Sequence, residues 1–359
     1  MVYACGVAMV NVIGFDVGGV NIKGAFVSYV AQTVDSLKIC SEFYPMWLHP
    51  LDELPNVLRR MIEGLAENRP IDAMGITMTA EVSDAYRSKI EGITHILTTF
   101  LDIEPQIMKR VISTHNSFIT IEEALTDYLA IASANWVATA LFVGKQFPKC
   151  ILLDIGSTTT DIIPITNGLP DTIGKTDTDR FLNGELLYTG ALRATIPSIV
   201  YKVPFRGKMC PISFEKFALI ADVHLLLNHI TPAEYTCETA DGRDKTKLDA
   251  LARLARIICA DTNLLSEQEI NEMAAYIYER QLDQIRESVT QVLMTHEGYD
   301  LTTPMVVTGL GGEFLAKKVA EQMGFQKIIN LEQELGYEGS VAAPAAAIAI
   351  LLAEECGGL

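Results

Sequence analysis

Nowhere in these 359 residues is there a C-x-x-C pair, a G-x-x-x-x-G-K-[ST] phosphate loop, a charge block or a low-complexity tract. Without that phosphate loop the P-loop enzymes are excluded. The seven cysteines, Cys5, Cys40, Cys150, Cys210, Cys237, Cys259 and Cys356, are scattered and odd in number. They read as reduced thiols of a cytosolic protein, with neither a disulfide framework nor a zinc site. Positive charge is scarce: 28 basic against 45 acidic side chains give a net charge of −17. That argues against nucleic acid or an acidic membrane as partner, since both need a basic face. No uninterrupted apolar run is long enough to cross a bilayer. The stretch Met1 to Ile13 is apolar but has no basic start, so no signal peptide is expected, and Met9 is a candidate start.

The composition that remains is globular, 49% apolar and 20% charged. The length suits two cores better than one. A repeated pattern supports two domains. The apolar run from Val10 to Phe15 enters Asp16-Val17-Gly18-Gly19-Val20-Asn21, followed by a second strand pattern from Ile22 to Tyr29. Cys150 to Leu153 likewise enters Asp154-Ile155-Gly156-Ser157-Thr158-Thr159-Thr160, followed by Asp161 to Thr166. Both are strand–turn–strand, where a dinucleotide site would be strand–turn–helix. The two aspartates lie about one domain length apart.

Between and after them, strands and helices alternate, which defines an α/β class. Ile71 to Thr79 reads as a buried strand. Ile119 to Val143 reads as one long helix with an acidic first turn, Glu122 and Glu123, ending in a strand. Phe214 to Ile230 and Lys247 to Thr262 are further helix candidates. Ser266 with Glu269 forms a capping box for a helix to about Thr295, with an apolar stripe of Ile270, Met273, Ala274, Ile277, Ile285, Val289 and Val292. Met305 to Val307 is a strand entering Thr308-Gly309-Leu310-Gly311-Gly312-Glu313. Helices are expected from Phe314 to Met323 and from Ala342 to Glu355.

The glycine turns carry the chemistry. Gly18 and Gly19 let backbone N–H groups approach phosphate oxygens, Asp16 suits a hydrated Mg²⁺, and Lys23 adds a point charge. The plainer reading is a hairpin whose glycines serve the turn alone. Gly156, Ser157, Thr158 and Thr159 repeat the logic with hydroxyls beside Asp154; the plainer reading is a polar hairpin. Gly309, Gly311 and Gly312 form a strand–helix turn, too short in spacing for a Rossmann fingerprint.

These three turns, in this order, resemble the phosphate-1, phosphate-2 and adenosine motifs of the actin, Hsp70 and sugar-kinase superfamily. That resemblance implies two ribonuclease-H-like domains around a central cleft, here residues 10–148 with 336–359 and residues 149–335. A closer resemblance rests on Gly75-Ile76-Thr77-Met78-Thr79-Ala80-Glu81, on the run from Asp84 to Gly92, and on Ala134-Asn135-Trp136 and Tyr188-Thr189-Gly190. Further matches are Val203 to Gly207, Thr239 to Arg243, Arg253 to Arg256, and Cys259-Ala260-Asp261. Through these the chain resembles the hydantoinase/oxoprolinase-related family linked to tetrahydromethanopterin C1 metabolism.

The resemblance implies a transferase acting in methanofuran biosynthesis. An aminomethylfuran-methyl diphosphate would lose pyrophosphate, and the freed carbon would alkylate the phenol oxygen of γ-glutamyltyramine. Asp16 and Asp154 with Mg²⁺ are then expected at the leaving group, with Gly18, Gly19, Asn21, Lys23, Thr79, Gly156, Ser157, Thr158, Thr159, Gly309, Gly311 and Gly312 binding phosphate. Glu81 is the first choice for the phenolic proton and His115 the second. Each has a structural rival: Glu81 as a helix cap, His115 as a loop residue. Arg87 and Lys89 are either a solvated helix face or a diphosphate clamp. Asn135 and Trp136 are expected within an apolar helix, and Asp241 to Lys245 as a charged turn. A kinase or amidohydrolase of the same fold and a non-catalytic nucleotide-switched scaffold are the competing functions. The expected location is the cytoplasm, and a homo-oligomer stays open.

Overall fold

The structure, a computed structural model, describes residues 9–357; Cys5 and the rest of the stretch ahead of Met9 lie outside the described residues. The chain divides into two compact units. The first holds the described residues through Cys150, Ile165–Asp179 and the chain from Glu332 on; the second holds Ile151–Pro164 and Arg180–Leu331. Beside the division drawn from sequence, Ile165–Asp179 goes with the first unit.

The first unit is built on β1 (Met9–Val17), β2 (Asn21–Val30), β3 (Thr33–Phe43), β4 (Ala73–Met78), β5 (Met108–Ser113) and β6 (Ser117–Ile119), in the order β3-β2-β1-β4-β5-β6. β1 runs antiparallel to β2 and parallel to β4, which is parallel to β5. β1 and β4 lie mid-sheet and are buried almost throughout, so they read as continuous apolar runs with no alternation. Helix α1 (Leu54–Ala66) lays Leu54, Val57, Leu58, Met61, Ile62 and Leu65 on one buried face. Helix α2 (Lys89–Asp102) starts at Ser88, whose hydroxyl accepts the Glu91 N–H.

The long helix expected from Ile119 to Val143 is two helices, α3 (Ile121–Thr126) and α4 (Asn135–Gln146). The Thr120–Glu123 capping box and acidic first turn form as expected. Asp127 then leaves helical geometry and Ser133 takes φ 50°. The intervening residues serve tertiary needs. Ile131 and Ala132 join the core, and the Ala130 carbonyl accepts the Thr114 N–H. Nor does the segment end in a strand, since α4 continues through Val143.

The second sheet begins with β7 (Cys150–Ile155) and β8 (Thr160–Thr166); β9 (Leu169–Pro170) follows within the stretch that goes with the first unit, α5 (Asp177–Leu182) crosses the division, and β10 (Leu186–Leu187) lies in the second unit. The hairpin of β11 (Lys202–Phe205) and β12 (Lys208–Pro211) leads to α6 (Ile220–Leu226), α7 (Lys247–Arg256) and α8 (Glu267–Thr295). β13 (Met305–Thr308), α9 (Lys317–Met323) and β14 (Ile328–Asn330) complete the sheet, ordered β10-β8-β7-β13-β14. β13 lies parallel to both β7 and β14. The stripe expected on α8 is buried at every position named. α6 and α7 are shorter than expected. The Asp222 carboxylate accepts the Leu219 N–H and fixes where α6 begins. Cys259, at φ 58°, closes the turn after α7. The helix expected from Phe314 opens as a wider π turn over Gly312–Ala316.

The last segment, α10 (Glu332–Val341, broken at Gly336) and α11 (Ala343–Gly357), belongs to the first unit. Gly14 and Gly75 are register partners on β1 and β4. A Cβ on Gly14 would lie 2.1 Å from the Ala345 carbonyl oxygen, and one on Gly75 2.2 Å from Ile348 Cγ2. The two glycines and the alanines of α11 allow backbone to lie on backbone. Among the described residues no single helix is long and apolar enough to cross a membrane. The pair α10 and α11 passes that test only together, across a 116° bend, and α11 is buried from Ala343 to Ala353.

Candidate functional site

Two turns carry most of the expected residues, and each is described within its own unit. At the first, Gly18 N–H donates to the Asn21 carbonyl at 3.1 Å, and a Cβ on Gly18 would sit 2.6 Å from that oxygen. The surrounding chain takes up the carbonyls: Thr79 N–H bonds Val17 O, Met46 N–H bonds Gly19 O and Tyr44 N–H bonds Val20 O. The N–H groups of Gly19 and Val20 have no backbone acceptor among the described residues. A turn with its acceptors spent and its donors unspent suits an anion. Asp16 is buried and lies opposite Lys23 in the β1–β2 register and beside Thr77 in the β1–β4 register. Lys23, expected as a phosphate cation, donates to the Val341 carbonyl at 2.7 Å.

The second turn repeats this. Gly156 N–H bonds Thr159 O, Ala191 N–H bonds Gly156 O, and the N–H groups of Leu192 and Arg193 both bond Ser157 O. The N–H groups of Ser157, Thr158 and Thr159 have no backbone acceptor among the described residues. The third turn lies against it. Thr308 is the register partner of Asp154, and Gly311 N–H bonds Ile155 O. Gly309 sits at φ 86°, where an added Cβ would be 2.5 Å from Asp154 Oδ1. Asp154, Gly156, Gly309 and Gly311 are therefore one constellation in the second unit.

Glu81 lies in a 3-10 turn after β4, 1% exposed. It does not cap α2; Ser88 does. Gly92 makes room for it, since a Cβ there would be 2.6 Å from Glu81 Cα. Ser133 Oγ donates to Glu81 Oε1 at 2.9 Å, and Glu81 Oε2 is buried without a hydrogen-bond partner. Burial pushes the carboxyl up to about 7, with the Ser133 bond and Lys89 pulling it back. Thr77 Oγ1 and Ser83 Oγ nearby in sequence are also buried and unpartnered. A Cβ on Gly19 would be 3.1 Å from Ser83 Cβ, which places this polar pocket beside the first turn. A carboxyl titrating near neutrality amid unsatisfied donors is suited to proton transfer.

Lys89 pairs with Asp177 at 3.1 Å, while Arg87 is exposed on the run into α2. His115 is exposed and 3.4 Å from Asp127, as a loop histidine would be. Asn135 and Trp136 open α4, with Trp136 in the core. Asp241 is held by Arg253 and Arg256, so the Asp241 to Lys245 stretch is a tethered charged turn. Sequence reasoning missed Ser133, which lay inside a helix expectation, and Gln281 and His224, which lay among apolar neighbours.

The chain is mixed α/β, and in its fold it is similar to a solved carboxylase. The nucleotide-free structure of acetone carboxylase superposes with a TM-score of 0.53 at 12% identity, over 94% of this chain and 70% of that one. The chain belongs to the hydantoinase/oxoprolinase family, whose profile matches residues 72–355. Two relatives are named (4-{4-[2-(γ-L-glutamylamino)ethyl]phenoxymethyl}furan-2-yl)methanamine synthase. That of Methanocaldococcus jannaschii is 36% identical over 348 residues, 96% of this chain and 98% of its own. That of Methanococcus vannielii is 38% identical over 219 residues, 60% of this chain and 96% of its own.

Proposed function

We propose that this chain is a transferase of methanofuran biosynthesis, the synthase that makes the aryl ether named in those relatives. The observation that carries the reading is 36% identity along nearly the full length of both chains. The product name contains a phenoxymethyl bridge, so the bond formed joins a phenol oxygen to a furylmethyl carbon. The substrates that fit are (5-(aminomethyl)furan-3-yl)methyl diphosphate and γ-glutamyltyramine. The carbon–oxygen bond to the diphosphate breaks with its electron pair leaving on oxygen. A phenol lone pair forms the ether, and the phenolic proton must go to a base.

Glu81 suits that last role. Its carboxyl is buried, anchored through Oε1 by Ser133, and raised to about 7, so it takes a proton at neutral pH without a large mismatch. Taken each within its own unit, the N–H face of the Gly18–Gly19 turn and that of the Gly156–Thr159 turn are fixed sets of donors suited to the charge of a departing diphosphate, of the kind that contributes most to many rate enhancements. Among the described residues no three His, Cys, Asp or Glu side chains form a metal cage. Magnesium needs only one or two carboxylates when phosphate oxygens and water fill the rest. Asp16 in the first unit and Asp154 in the second, each beside an anion-suited turn, are each a candidate carboxylate for such an ion, and Mg²⁺ there would neutralise leaving-group charge. Location in the cytoplasm is part of this proposal.

The test is incubation with both substrates and Mg²⁺, ATP omitted, reading pyrophosphate and the ether by mass spectrometry. Product is expected. Turnover that needs ATP, or no release of pyrophosphate from the furan diphosphate, would overturn the proposal.

A further inference from the structure

Helix α8 carries one residue its apolar stripe does not explain. Gln281 is four residues beyond Ile277 and four before Ile285, and it is 0% exposed. An amide buried there costs free energy unless both its ends are bonded. They are. Its Oε1 lies 3.0 Å from Nε2 of His224, itself fully buried, and its Nε2 donates to the Gly190 carbonyl at 2.9 Å and to Thr189 Oγ1 at 3.2 Å. His224 Nδ1 lies 3.1 Å from Nδ1 of His229, which is half-buried.

The inventory of donors fixes the direction of this chain. Gln281 Oε1 can only accept, so His224 Nε2 carries hydrogen. Burial, then the His229 ring, push the His224 pKa down to about 3, so the ring is neutral and its Nδ1 accepts. His229 Nδ1 then donates. Hydrogen bonds run in one sense from His229 through His224 and Gln281 to Gly190.

Gly190 is where the chain meets the second turn. A Cβ there would be 2.6 Å from both Thr158 N and Thr158 C, and 2.7 Å from Gly156 O. Thr160 Oγ1 donates to the Thr189 carbonyl at 2.7 Å. The next three residues, Ala191 to Arg193, spend their N–H groups on the turn's carbonyls. The Thr189–Gly190 segment is thus the backing against which Gly156–Thr159 is shaped, and Gln281 holds that backing from α8.

We infer that Gln281, aligned by His224, is a positioning residue for the diphosphate-binding turn Gly156–Thr159. The inference rests on reading that turn as a diphosphate grip. It separates Gln281 from ordinary core packing, because an apolar residue of the same volume would fill the space and leave Gly190 unheld.

Pyrophosphate itself is the probe. Isothermal titration with Mg²⁺ present should show Gln281→Met binding it about 10-fold more weakly, the loss of a pair of hydrogen bonds to a fixed segment. In turnover the KM for the furan diphosphate should rise by about the same factor, with the KM for γ-glutamyltyramine unchanged. Gln281→Glu, buried and protonated, retains one acceptor for His224 and one donor for Gly190, and should recover most of the affinity. If the Gln281 variants do not fold, His229→Phe removes the first donor from the half-buried end and should weaken pyrophosphate about threefold. Wild-type pyrophosphate affinity in folded Gln281→Met, or in His229→Phe where that variant decides, overturns the inference, as do equal rises in both KM values. Failure of the wild type to make the ether would strike the proposed reaction alone, since the pyrophosphate titration does not depend on it.

Discussion

The turn after Asp16 and the turn after Asp154 use one backbone arrangement, carbonyls spent on neighbouring N–H groups and donors left over. Their surroundings differ. Beside the first, Glu81 Oε2, Thr77 Oγ1 and Ser83 Oγ are buried without hydrogen-bond partners. Behind the second, Gln281 and His224 spend both ends of their side chains in a directed chain. An unsatisfied polar pocket is costly and tunable, and a satisfied one is stiff. On the proposed reading, the pocket of the first unit suits proton chemistry and the turn of the second a rigid grip.

Changes at the two turns sharpen or break that contrast. Asp154→Asn should lower kcat by about 10³-fold, or about 4 kcal/mol of barrier, with the circular dichroism spectrum retained. Undiminished turnover removes Asp154 from the leaving-group site.

Glu81→Gln should cost about 10²-fold in kcat and abolish the rise of rate with pH through about 7. Stability gives an independent reading. Between 4.5, the carboxyl's ordinary value, and about 7, the folded chain keeps the Glu81 proton that the unfolded chain releases. Stability therefore falls as pH rises through that window, by on the order of 3 kcal/mol, and Glu81→Gln should remove that slope. A variant whose urea midpoints keep the wild-type pH slope would mean the carboxyl is not held protonated.

Gly190→Ala forces a Cβ to within 2.6 Å of Thr158 backbone. It should destabilise the second unit by about 2 kcal/mol and raise the KM for the diphosphate substrate while sparing the phenol. Equal effects on both would erase the distinction between grip and chemistry. The smallest change belongs to His115→Ala. Exposed and paired with Asp127, it should shift stability by less than about 0.5 kcal/mol and leave kcat within about twofold. A large loss of kcat would return His115 to the role of proton acceptor.

The glycine hairpins and the α8 stripe were legible in the sequence because each is local: a turn needs its glycines at fixed spacing, and a helix shows its buried face every three to four residues. Glu81 was legible through the run it terminates, but not its burial, which comes from the empty side-chain position at Gly92. Lys23 shows the reverse limit. Its sequence position beside the turn suggested phosphate, yet its ammonium reaches a carbonyl more than three hundred residues away in the chain. Ser133 was hidden because a left-handed serine within an apolar, alanine-containing run has no periodic signature. Gln281 was present as a polar residue in an apolar stripe, a signal that identifies a buried partner without saying which one.

Helix α11 lies on a bed made by Gly14 and Gly75, and that bed is laid down by the first quarter of the chain. During synthesis the ribosome exposes β1, β2 and β4 long before residue 343 emerges, and the intervening second unit can fold in the meantime. Until that helix emerges, the face carrying Gly14 and Gly75 waits without its cover, a sheet surface open to chaperones or to aggregation. Nascent chains halted after about residue 331 should therefore be sensitive to protease in the first unit and resistant in the second, and completion of the last helix acts as the final clasp of the earlier-made half.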